Sequence, residues 1–279
     1  MDRRSFLKST SIAAGAAGIV AAPGVDAALA ILRSAEPLTI AVDWPQATPV
    51  LGELAGRLAR RLEQLSDGRL LIEMAPEAAV SGDFRLGVVG GSGVGGLPLT
   101  FATAIPGGLQ DEAHADWLRF GGGSELLDEA AAAHGLKLFH AGSLCSQPGL
   151  WLKRSVKLTP QMRGLSVAAF GLGADVATEL GCLATPIASP WSTELSGREF
   201  DAIDAVDPLI DLMAGRPGRH ETLWSPGLNS SGFHLTLSID RGLWEAMERS
   251  AQAMFEAAMS FEADWVTAAL RVQRHPAMY

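Results

Sequence analysis

Between residues 37 and 75 the spacing of apolar positions changes twice. Leu38, Ile40 and Val42 alternate with Thr39 and Ala41, the period of a strand with one face inward. After "DWPQATP" the period lengthens: Leu51, Leu54, Leu58, Leu62 and Leu65 recur at three and four, the stripe of an amphipathic helix. Thr48 is placed to cap that helix with Pro49 at its first position, and Gly68 to end it; Arg57, Arg60, Arg61 and Glu63 fall on the face expected to meet water. Leu70–Met74 returns to strand character. A β-α-β opening favours a parallel sheet with the helix on one face.

The same reading predicts further strands at Leu136–Ala141, Leu150–Lys153, Leu165–Phe170, Ala202–Val206 and Phe233–Ser238, with helices between them. Leu165–Phe170 runs through a glycine-spaced turn into a helix starting near Gly173. Such a junction is an anion site, because free backbone N–H groups and the helix dipole converge there. No charged residue occurs between Arg163 and Asp175, so the segment supplies no cation of its own. From Arg241 onward, Trp244, Met247, Ala251, Met254, Ala258, Phe261 and Trp265 alternate at three and four, predicting one long C-terminal helix. Its stripe suits packing on the rest of the chain; heptad spacing also leaves open a homodimer through this helix.

Composition narrows the class. The chain has 279 residues, 48% hydrophobic, with 31 glycines and a net charge of −9, which fits a compact α/β protein. No basic face or Lys/Arg run accompanies that charge, which excludes nucleic acid as a partner. The first thirty residues read differently. Arg3 and Arg4 precede Phe6, Leu7 and Lys8, and Ile12–Ala22 is a short Ala/Gly-rich apolar stretch, the pattern of a twin-arginine export signal rather than a membrane span. Small residues place cleavage after Ala27 or Ala30 and the mature protein in the periplasm. Cys145 and Cys182 could pair there, or remain buried free thiols.

Catalytic patterns are missing. The six histidines form no H-x-x-x-H pair, "GGSGV" fails the nucleophile-elbow pattern, and the formal G-x-G-x-x-G at Gly91, Gly93 and Gly96 is followed by Pro98 rather than a helix. These absences point away from an enzyme. In the acidic cluster, Asp207 with Pro208 suits a helix start, and Asp201 and Asp211 read as solvated. Asp204, inside the apolar "AIDAV", needs a partner, a hydrogen bond or an ion.

The order of these pieces, with "VDWP", "RLEQLSDGRLLIEM", "TFATAIPGGL", "WLRFGGGSELLDE", "HGLKLFHAGS", "RGLSVAAFGLGADVATELG" and "FDAIDAV", resembles the periplasmic solute-binding proteins of tripartite ATP-independent periplasmic (TRAP) transporters, in particular their 2-oxo acid branch. The resemblance implies a two-domain α/β fold with an interdomain cleft, here divided as a signal at 1–30, a first domain at 31–152, a second at 153–238, and a long helix at 239–279 spanning both. It implies a small-molecule ligand and membrane permease subunits as partners. It also implies Trp44, Gln147, Trp151, Ala168, Phe170 and Asp204 at the cleft, and a sodium ion held through Gln147 and Asp204. Ala168 stands where the family carries the arginine that forks onto the substrate carboxylate, and Asp204-Ala205 where it carries an acid-tryptophan pair. Two functions fit: a receptor whose cleft is reshaped for another small molecule, or a degenerate relative acting as a periplasmic interaction or scaffold protein.

Overall fold

The computed structural model describes residues 37–75, 83–88, 107–109, 111–144, 149–157, 159–187, 199–204, 211, 220, 222–225, 227–228 and 234–277. Arg3, Arg4, the cleavage sites, the Gly91–Gly96 motif, Cys145, Gln147 and Asp207-Pro208 lie outside them.

The first sheet forms around β1 (Leu38–Val42), which pairs in parallel with β2 (Ile72–Met74) and β3 (Phe84–Val88). Between β1 and β2 runs α1 (Leu51–Leu65). Leu51, Leu54, Leu58 and Leu62 are fully buried, each worth about 1.5–3 kcal/mol relative to exposure. The expected fifth member, Leu65, is 45% exposed, because the helix ends there and turns at Ser66. The expected cap is also corrected. Val50, at φ 63°, precedes the first helical residue, and Thr48 acts through its carbonyl, which accepts the Gly52 N–H at 2.8 Å. β3 was not predicted, although Phe84 and Leu86 are both fully buried.

After α2 (Asp111–Phe120) and α3 (Gly123–Ala132), β4 (Leu136–Ser143) enters the sheet, and the antiparallel β10 (His234–Asp240) fits between it and β3, giving the order β2-β1-β3-β10-β4. The second sheet holds β5 (Leu150–Leu152), β6 (Ser166–Phe170), β7 (Leu183–Ile187), β8 (Ala202–Asp204) and β9 (Thr222–Trp224) in the order β7-β6-β8-β5-β9. Both sheets thus share one plan, three parallel strands followed by an antiparallel strand and an outer one. The strand at 234–240 therefore belongs to the first sheet and that at 150–152 to the second, so the sheets do not divide at residues 152 and 238. Neither β7 nor β9 was predicted: β7 carries Pro186 and a 66%-exposed Leu183, a pattern tolerated only on an edge.

The C-terminal helix is not continuous. α5 (Arg241–Ala246), capped by Asp240 through the Leu243 N–H, stops at Met247, which takes an extended conformation, and α6 (Arg249–Ala277) follows. The break rotates the apolar stripe. Phe255, Ala258, Met259, Ala263, Val266 and Leu270 are buried, whereas Phe261 is 52% exposed. α6 packs on β4 and α1, both of the first unit. Gly142 of β4, at φ 131°, makes this approach possible, since a Cβ there would collide with Val266. The face offered for dimerisation is largely used internally.

Arg57 and Arg61 do not face water as predicted. Both reach the fully buried Glu262 of α6, at 2.8 and 2.6 Å, while their guanidinium groups lie 3.7 Å over the rings of Trp265 and Phe261. Cys182 is a buried free thiol whose S–H donates to the Met162 carbonyl at 3.3 Å.

Candidate functional site

In β5, β6 and β8 alternate residues go to opposite faces of the second sheet. Leu150, Leu152, Val167, Ala169 and Ala202 pack with Ala174 and Ala177 of α4 (Leu172–Glu179) in one apolar cluster. Trp151, Ala168, Phe170 and Ile203 join a different cluster, continuous with the core of the first unit. This second face carries three of the expected cleft residues. It is shielded from solvent: Trp151 is 7%, Phe170 3% and Ala168 0% exposed. Ala168 is flanked by Thr185 and Ile203 in register, with no polar group of its own to offer.

The β6–α4 junction is the anion site that the sequence suggested, and the protein fills it. Gly171 turns the chain at φ 51° and provides no side-chain cap. The Asp204 carboxylate supplies the charge instead: Oδ2 accepts the Phe170 N–H at 3.3 Å and lies 3.1 Å from where a Cβ on Gly173 would sit. This N–H and the nearby positive end of the α4 dipole favour the carboxylate, which is 2% exposed.

The acids on either side are not simply solvated, contrary to expectation. Asp201 accepts from the N–H and hydroxyl of Ser166, both at 2.9 Å; the backbone hydrogen bond, against the cost of burial, holds its carboxyl below the usual range. Asp211 is fully buried and accepts the Trp151 indole N–H at 3.0 Å. Trp44, grouped from the sequence with the cleft residues, is core: 3% exposed, its indole donates to the Leu51 carbonyl at 2.9 Å.

Among the described residues, the cations near the second sheet lie at its far end. Lys153 pairs with Glu199 at 3.4 Å, its N–H bonds the Asp201 carbonyl, Arg154 is exposed beside it, and Arg163 packs on Gly181 before β6 begins. In open α/β sheets ligands gather at the carboxyl ends of parallel strands. At that end of β6 and β8, the described residues include no arginine or lysine. In the first unit Arg85, beside the end of β1, is engaged at 2.6 Å by Asp43, whose carboxyl burial raises above the usual range.

Metal binding finds little support in the described donors. They include no group of three or more His, Cys, Asp or Glu able to hold an ion. Asp204 alone, with one oxygen turned to backbone N–H, falls short of the six or more oxygens a calcium site takes.

Two five-stranded mixed sheets of identical order, with an apolar face of one joined to the core of the other, define a two-domain α/β fold of the solute-binding type. Solved structures share it. A TRAP transporter solute-binding protein of Bordetella bronchiseptica RB50, described with copurified calcium and picolinate, matches with TM-score 0.76 and 24% identity over 87% of this chain and 77% of that one. One of Pseudoalteromonas atlantica, with bound sodium and pyruvate, matches with TM-score 0.75 and 21% identity over the same shares. In sequence, the chain is 26% identical to the monocarboxylate 2-oxoacid-binding periplasmic protein of Nostoc sp., over 92% of this chain and 75% of the relative. No family model matches the chain. The chain is thus similar, in sequence and in fold, to periplasmic solute-binding proteins of TRAP transporters.

Proposed function

We propose that this protein is a periplasmic solute-binding protein of a TRAP-type system whose site takes a small neutral or apolar solute rather than a 2-oxo monocarboxylate. The carrying observation is the end of β6 and β8. The place beside the helix start is occupied by Asp204, and on the opposite face of the strands Ala168 offers only a methyl group, beside Trp151, Phe170 and Ile203. Aromatic walls with few polar groups suit uncharged ligands. A sodium ion through Gln147 and Asp204 rests on the family resemblance; the relatives' calcium and sodium support it, and the engagement of Asp204 with backbone N–H argues for a structural acid.

Export follows the same proposal: the twin-arginine signal delivers the folded protein, and membrane permease subunits receive the solute. An Arg3→Lys/Arg4→Lys double variant is expected to accumulate as cytoplasmic precursor, read by fractionation. A second reading, a periplasmic scaffold without small-molecule capture, is favoured by the burial of the Ala168 face. A thermal-shift screen across neutral and charged metabolites separates the two, because a ligand that binds only the native state must raise its melting temperature. Shifts with neutral solutes support the receptor; a flat screen supports the scaffold.

A further inference from the structure

Away from the second sheet, α2 and α6 lie side by side over β4 and leave a cavity of about 360 Å³ between them. The small side chains of Ala115 and Ala268 create the width. Each end is closed by an ion pair between the helices: Arg119 with Asp264 at one, Arg271 with Glu112 at 3.1 Å at the other. Asp116 lies between these ends, lines the cavity, and enters no ion pair among the described residues. The floor is His140, whose buried Nδ1 has no hydrogen-bond partner.

The charges decide what fits. Both arginines are engaged by an acid of the facing helix, leaving one surplus carboxylate at the centre. His140 contributes none: burial first, then Arg119 and His114, hold it neutral down to about pH 4, against a smaller opposing pull from Asp264. His234, buried behind it and stacked on His114 at 3.6 Å, is likewise held neutral, chiefly by burial. A carboxylate or phosphate ligand would meet Asp116 with no unengaged cation to offset it. An ammonium would meet its counter-charge.

We propose that this slot binds a small organic ammonium, the ammonium on Asp116 and the rest of the molecule against the His140 ring. Ethanolamine is the probe, followed by the imidazole resonances of the full mature protein in NMR titration, with acetate as the anionic control. The expected result is a saturable shift of the His140 signals by ethanolamine and none by acetate. Asp116→Asn, at an exposed position, should weaken binding at least about tenfold, the loss of one charge-assisted contact, and Ala268→Leu should abolish it by filling the slot. No saturable shift, an equal response to acetate, or unchanged affinity in Asp116→Asn would overturn the assignment.

Discussion

Glu262 and Asp204 are both buried carboxylates, and the two halves of the molecule neutralise them by different means. Glu262 is gripped by two guanidinium groups, each lidded by an aromatic ring of the same helix. Asp204 accepts the N–H of Phe170, at the end of β6 just before α4, and the described residues at that strand end include no arginine or lysine. The first unit spends its arginines on fastening α6 to α1. Among the described residues, the second has no arginine or lysine at the carboxyl ends of β6 and β8, so a ligand carboxylate arriving there would meet an acid already in place. A cation clamp fixes an acid through charge, a dipole clamp through direction. Isosteric amides should therefore distinguish them.

Glu262→Gln carries the largest expected effect. It keeps the shape but leaves Arg57 and Arg61 facing each other without a counter-charge, at a cost of about 3 kcal/mol or more, measurable as a lowered midpoint in urea denaturation. Asp204→Asn retains an oxygen for the Phe170 N–H, and the share of the loss that comes from this hydrogen bond and the helix dipole is about 1 kcal/mol. Equal losses from the two amides would erase the distinction.

Acid should act on the first unit. His140 and His234 have folded pKa values pushed below 6.5, so the unfolded chain binds protons first. Their contribution is complete above about pH 6.5 and is lost as pH falls toward 4, so melting temperature should decline across that window. His140→Gln should flatten the decline; an unaltered profile would show that the imidazoles do not govern it. The smallest effect is expected at the exposed Lys153–Glu199 pair, where Lys153→Ala should change stability by no more than about 0.5 kcal/mol.

The elements and their order were largely legible, because period carries them: β1 is found at Leu38–Val42 as expected, and the buried leucines of α1 follow their spacing. What spacing cannot report is which residues meet across the fold. Glu262 and the arginines it binds are about two hundred positions apart, so two residues expected in water prove to be the grip on α6. His114, His140 and His234 form no sequence motif, yet their rings gather beneath the α2–α6 slot. The stripe of the last helix was misphased because the break at Met247 resets the count. At the site, that Asp204 would lie against the β6–α4 junction was not legible, since it depends on β8 lying beside β6.

Among the described residues no cation stands at the carboxyl ends of β6 and β8 to receive a carboxylate, and pyruvate tests the proposed preference for uncharged solutes directly. Calorimetric titration of the unmodified mature protein should show binding at least tenfold weaker than a bidentate arginine contact would support, the loss of about 1.5–3 kcal/mol, and in practice no resolvable heat at micromolar concentrations. Micromolar or tighter pyruvate binding would contradict it, and would mean that Arg85, released from Asp43, or another arginine of the chain reaches the ligand.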